Sequence, residues 1–213
     1  NMRNTFLFML LVLVSFASCN QTNKSTVVTK DSVVNSDDIV TSDSAGNQLA
    51  SVVNAFVEAY AHKSNSAVNA LLHPDLGLTI IYRPGVSDTF IKMDSIDFSK
   101  PMPDYYGYPS LKNDFPLTYG KLPEFDCGTE KWNKLGLYVD STDHPKQLRN
   151  IVAFENEFEP NKYTKKSIDT IRKGEKDSHR VILTTAHPLV FHVQKYLGKW
   201  YVTVLDRAYA GCD

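Results

Sequence analysis

The chain has 213 residues, with 23 Lys plus Arg against 24 Asp plus Glu. That length suits one domain with a tail, and the charge balance leaves no basic excess to neutralise a nucleic-acid backbone. Hydrophobic residues make up 42% and charged residues 22%, which is enough apolar material for a real core and excludes wholesale disorder.

Behind Met2 and Arg3, an apolar run from Phe6 to Phe16 ends in Ala17, Ser18 and Cys19. The run is too short for a permanent bilayer span, which needs about 20 residues, and it has the layout of a cleaved secretory signal over residues 1–18. Phe16-Ala17-Ser18-Cys19 resembles the bacterial lipoprotein box, although Phe16 stands where Leu is more usual. The resemblance implies lipidation of Cys19, which becomes the mature N-terminus, and a location on the extracytoplasmic side of a bacterial envelope. The membrane is then a partner through the lipid. Acyl chains contribute about 0.8 kcal/mol per buried methylene, so two or three hold a protein firmly.

Residues 20–47 change character. Ser, Thr, Asn and Asp fill 17 of 28 positions, with no aromatic residue. Such a stretch buries too little surface to offset its ordering entropy, so 19–47 reads as the lipidated cysteine and a flexible tether, with one globular domain over 48–213. With Cys19 committed to lipid, Cys127 and Cys212 remain as an even pair in an oxidising compartment. A bridge between them closes a loop worth about 4 to 5 kcal/mol in the chain-entropy view.

In the domain, Leu49, Val52, Val53, Phe56, Val57 and Tyr60 recur at helical spacing, with Asn47 available as N-cap. A short helix from Ser66 to Leu72 stops at His73-Pro74. Leu78, Ile80 and Tyr82 alternate as a strand, Pro84-Gly85 turns the chain, and a second strand runs from Ser87 to Met93. Residues 101–127 hold five of the ten prolines among many tyrosines and phenylalanines, and read as an irregular, aromatic insertion. A short strand covers Leu137 to Val139. After Asp143, a candidate N-cap, Leu148, Ile151, Val152 and Phe158 suggest a helix, while the alternation of Val152, Phe154 and Phe158 also permits a strand. Thr164 to Lys173 reads as a further short helix.

Three strands close the chain: Val181 to Thr185, Leu189 to Tyr196 and Lys199 to Arg207. A two-residue Leu197-Gly198 loop sets Tyr196 opposite Lys199. This register gives one apolar face of Phe191, Val193, Trp200, Val202 and Val204. The other face carries Val190, His192, Gln194, Tyr201, Thr203 and Leu205, which suits either a solvated surface or the wall of a semi-polar cavity.

The opening helices ending in Leu71-Leu72-His73-Pro74-Asp75, the hairpin, and closing strands with Gly198-Lys199-Trp200-Tyr201-Val202 resemble the nuclear transport factor two and SnoaL-like superfamily. The resemblance implies an α+β fold, a curved antiparallel sheet wrapped in a cone around N-terminal helices. It does not by itself imply one activity.

Tyr82, His192, Gln194, Tyr201 and Thr203 form the candidate ligand-binding group. His73 with Asp75 is a lesser pair that doubles as a helix stop. His187 and His192, five apart on an extended strand, point to opposite faces and share no metal. Asp206-Arg207 is a candidate ligand-orienting pair or a surface pair, and Glu155, Glu157 and Glu159 are either a cation site or a solvated acidic face. Zincin, P-loop, nucleophile-elbow and dinucleotide-binding patterns are absent, and no metal or cofactor is expected. The leading functional expectation is a non-enzymatic, lipid-anchored domain that binds a small ligand or an envelope protein. An acid/base enzyme of the SnoaL type, with His192 as base and Tyr82 or Tyr201 as proton donor, is the alternative, and a purely structural envelope protein is the third.

Overall fold

The computed structural model describes residues 40–209, with side chains from residue 46 onward. The leader, Cys19, most of the expected tether, and Cys212 lie outside the described residues. Helix α1 spans Val40–Ala61, and the stripe Leu49, Val53, Phe56, Val57 and Tyr60 is buried. The helix therefore begins eight residues before the expected domain boundary at 48, and Asn47 lies inside it instead of capping it. Once a buried stripe holds the nucleus, each added turn extends the helix at little cost. Lys63 ends the element in left-handed geometry, and Ser64 caps α2 (Asn65–Asn69) by accepting from the Ala67 amide.

Beyond α2, the His73 carbonyl accepts from the amides of Leu76 and Gly77. Gly77 has a φ of 64°, and a Cβ there would sit 2.7 Å from the Met93 carbonyl oxygen, so this turn requires glycine. It delivers the chain into β1 (Leu78–Tyr82), which pairs antiparallel with β2 (Thr89–Met93).

The later strands are β3 (Leu117–Tyr119), β4 (Phe125–Asp126), β5 (Lys131–Trp132), β6 (Gly136–Val139), β7 (Ser178–Thr184), β8 (Leu189–Tyr196) and β9 (Lys199–Asp206). Two helices intervene, α3 (Gln147–Phe158) and α4 (Lys165–Lys176). Seven strands form one curved, unclosed, mostly antiparallel sheet in the order β2-β1-β9-β8-β7-β6-β3, and the expected α+β class holds. Two neighbours run parallel, β1 with β9 and β3 with β6.

Residues 101–127 are not wholly irregular. They contribute β3 to the main sheet and β4 to a small hairpin with β5. Three residues of β3 are too few to show a period, and their partner β6 is distant in sequence. Asp143 does not cap α3, since Lys146 occupies that position and makes no side-chain cap bond. The helical reading of 148–158 holds over the strand reading, and Thr164 caps α4 through the Ser167 amide.

The principal core lies between α1 and the inner face of the sheet, where Phe56 meets Phe191 with ring centroids 4.5 Å apart. Tyr108 folds back from the aromatic segment to pack edge-on against Phe98 and Tyr60. A second, smaller cluster on the opposite face joins Ile81, Ile151 and Val204, with Phe90 and Leu148 packed against it. Among the described residues no helix is long and apolar enough to cross a membrane.

The closing hairpin has the expected Tyr196–Lys199 register up to Val193–Val202, and there the ladder slips. His192 pairs with Val204, so β9 carries an extra residue, a β-bulge at Thr203. Val204 and Leu205 consequently exchange the expected faces: Leu205 joins the principal core and Val204 joins the outer cluster. Leu205→Ala is expected to cost about 2 to 5 kcal/mol, as for a large-to-small change in a close-packed core. Urea unfolding would check this, and a loss below 1 kcal/mol would contradict the bulged register.

Candidate functional site

The bulge sets up a row of side chains across the outer face of the sheet. Arg180 of β7 lies opposite His192 of β8, which faces Val204 of β9; Thr79 of β1 and Lys92 of β2 continue the row. This face is not solvated. Helix α3 covers it through Leu148 and Ile151, and α4 closes over the β7–β8 end.

Glu175 holds the two helices together. Its carboxylate is almost fully buried and accepts hydrogen bonds from the backbone amide and the Nε of Arg149 at the start of α3. A charge-assisted pair of this kind is strong because the guanidinium and the amide together satisfy the buried oxygens.

Between the helices and the sheet lies a cavity of about 170 Å³. His192, Gln194 and Thr203 line it from the sheet, and Thr170, Ile171 and Gly174 line it from α4. Three of the five residues expected to form a pocket wall are thus brought together. The other two are not. Tyr82 shares the strand parity of Leu78 and Ile80, which puts it on the inner face, opposite to His192. Tyr201 lies outside the cavity lining and meets the His73 ring edge-on at 4.9 Å.

His192 is 1% exposed, and its Nε2 has no hydrogen-bond partner. Burial, assisted by the positive charge of Arg180, pushes its pKa well below the ordinary histidine range, so the ring is neutral at physiological pH. Arg180 donates to Asp206 Oδ2 at 2.7 Å, and the Ala208 amide donates to Oδ1 at 3.1 Å. Burial raises the Asp206 carboxyl above the usual range, while these two contacts pull it back.

The geometry corrects several expectations. Asp206 and Arg207 do not form a pair: Asp206 bonds Arg180, and Arg207 donates to the carbonyls of Met102, Tyr106 and Gly107. Glu155 is tied to the hydroxyls of Tyr163 and Thr89, at 2.6 and 2.7 Å, and Glu159 pairs with Lys162. Among the described residues no group of His, Cys, Asp and Glu is arranged to hold a metal ion. His73 is a turn residue whose Nδ1 accepts from the Asp75 amide at 3.2 Å.

Sequence reasoning missed the helix side of the cavity. The only signal for it was Gly174 within an otherwise helical run, a position where a side chain is absent next to Gln194. Chemically, the cavity lining presents a neutral imidazole, an amide and several hydroxyls, with the charged Lys92 and Asp75 also among its residues. These groups can donate and accept hydrogen bonds.

A neutral buried histidine also sets a pH dependence. The unfolded chain takes up a proton near pH 6.5 and the folded chain does not, so stability falls as pH drops below about 6.5, by up to about 1.4 kcal/mol per pH unit. Asp206, with its raised pKa, acts in the opposite sense over its own range. His192→Gln removes the imidazole, so its melting temperature should decline less between pH 7 and 5 than that of the parent. Equal slopes in a calorimetric pH series would refute the neutral, buried state. Comparison of the chain with family models, with curated proteins and with solved structures yields no match.

Proposed function

We propose that the chain is a lipid-anchored, extracytoplasmic binding domain that holds a small ligand in the cavity between the outer sheet face and helices α3 and α4. The observation that carries this reading is the buried His192, whose Nε2 is unpartnered beside a cavity that Gln194 and Thr203 also line. A buried polar atom without a partner is costly, and a ligand that supplies the missing bond recovers that cost. The lipid anchor rests on the Ala17-Ser18-Cys19 box, and the cone-like wrapping of the sheet around α1 on the superfamily resemblance. The packing of α1 against Phe191 and Val202 of the inner face is compatible with such a cone.

A Cys127–Cys212 disulfide belongs to the same proposal. Tyr209 stacks on Trp132 of β5 with ring centroids 5.9 Å apart, next to the β4–β5 turn that holds Cys127. Cys212 follows Tyr209 by three positions, a chain reach of about 10 Å.

Native mass spectrometry of the mature chain released in mild detergent tests the binding reading. A small molecule should accompany the parent and be lost from Gly174→Leu, which fills the cavity; Gly174→Ala, whose Cβ meets Gln194 at an ordinary 3.5 Å, controls for folding. Retention of the same molecule by a folded Gly174→Leu would overturn the cavity assignment. The same spectra should show acyl mass on Cys19, and a tryptic digest without reductant should yield the Cys127–Cys212 peptide pair. A bare Cys19 or two free thiols would remove the corresponding part of the proposal.

A further inference from the structure

The polar groups around the cavity differ in how far they are already committed. Thr170 donates its hydroxyl proton to the Lys166 carbonyl at 2.9 Å, and Ser178 donates to the Gly174 carbonyl at 2.7 Å. Glu175 is neutralised by Arg149, and Asp206, next to the site, by Arg180. At the rim, Lys92 and Asp75 carry opposite charges, so no net field of one sign enters the cavity. Leu76, Leu148, Ile171 and Val204 supply the aliphatic part of the wall, and Thr79, Gln194 and Thr203 supply further uncharged polar groups. The imidazole of His192 is uncharged for the reasons given above, and it offers one nitrogen that no protein group engages.

The volume of about 170 Å³ is near that of a cavity of about 150 Å³ known to admit benzene. A charged guest would meet Lys92 and Asp75 at the rim, whose opposite charges offset each other, while the inner wall offers only uncharged polar groups from Thr79, His192, Gln194 and Thr203. From this arrangement we infer that the site takes a neutral ring of benzene size carrying a hydrogen-bonding group, which engages His192 while its apolar part packs on Leu148, Ile171 and Val204. The inference rests on the cavity-binding reading above and narrows it to one ligand class.

The test uses the full chain in mild detergent with carbon-13-labelled histidine, the His192 resonance being assigned by its loss in His192→Gln. Phenol, benzene and benzoate are the probes. Phenol should shift the His192 signal saturably, bind at least fivefold more tightly than benzene, and exceed benzoate by tenfold or more. Thr203→Val and His192→Gln should each narrow the difference between phenol and benzene, with folding checked by the remaining histidine signals. Saturable binding in which benzoate or benzene equals phenol would overturn the ligand class and leave the cavity reading standing. If no probe moves His192, and Gly174→Leu binds each as the parent does, both readings fall.

Discussion

One extra residue in β9 controls what the outer half of the molecule can be. In an unbulged ladder, Thr203 would face His192, Val204 would enter the principal core, and Leu205 would turn toward α3. With the bulge, the pairing runs His192–Val204 and Phe191–Leu205. The larger Leu205 then fills the space beside Phe191 and Ile80, and both Thr203 and Val204 face the cavity side. A strand normally alternates faces residue by residue. Here two consecutive residues serve the same layer, which makes that layer denser in side chains at the point where the helices arrive.

The parity change also decides the fate of the next two residues. Asp206 comes to lie on the outer face, in reach of Arg180 two rungs along the row that contains His192. Arg207 follows at the end of β9, where its amide bonds the Ile81 carbonyl. Its guanidinium lies over the rings of Tyr106 and Tyr108 and collects carbonyls of the proline-rich segment. One charged residue thus pairs with Arg180, the neighbour of His192 across the ladder, while the next anchors residues 102–108 to the sheet. Arginine suits the second role because its planar, fixed charge can stack on aromatic faces and donate several bonds at once.

Most elements were legible because their signals are local. The α1 stripe, the short helical run from Thr164 that became α4, the Leu197-Gly198 loop and the alternation along β8 are all set by residues within a few positions of each other. His192, Gln194 and Thr203 could be placed on one face for the same reason. What stayed hidden depends on partners distant in sequence. The parallel pairing of β1 with β9 and of β3 with β6 leaves no local trace, and the bulge is a compromise between two faces that only their packing layers decide. Tyr82 was grouped with His192 on residue type alone, and the parity of β1 sends it to the other side. The covering of the outer face depended on knowing where α3 and α4 dock, which their sequences show only as short amphipathic runs.

The cavity itself follows from how that covering is achieved. Glu175 and Arg149 pin the last turn of α4 to the first turn of α3, so the two helices cannot settle independently onto the sheet. Where α3 descends, Ile151 and Leu148 reach Val204 and the layers close. Where α4 descends, Gly174 presents no side chain to the sheet, and the gap above Gln194 stays open. Filling it with a methyl group would meet only ordinary contacts, so the absence of a side chain at Gly174 is not a steric necessity. A glycine inside a helix costs about 0.5 to 1 kcal/mol relative to alanine, and an unpartnered buried imidazole adds a further cost. Two destabilising features thus meet at one space, on opposite walls and from elements far apart in sequence, and their coincidence is the physical basis of the proposal that this space receives a ligand.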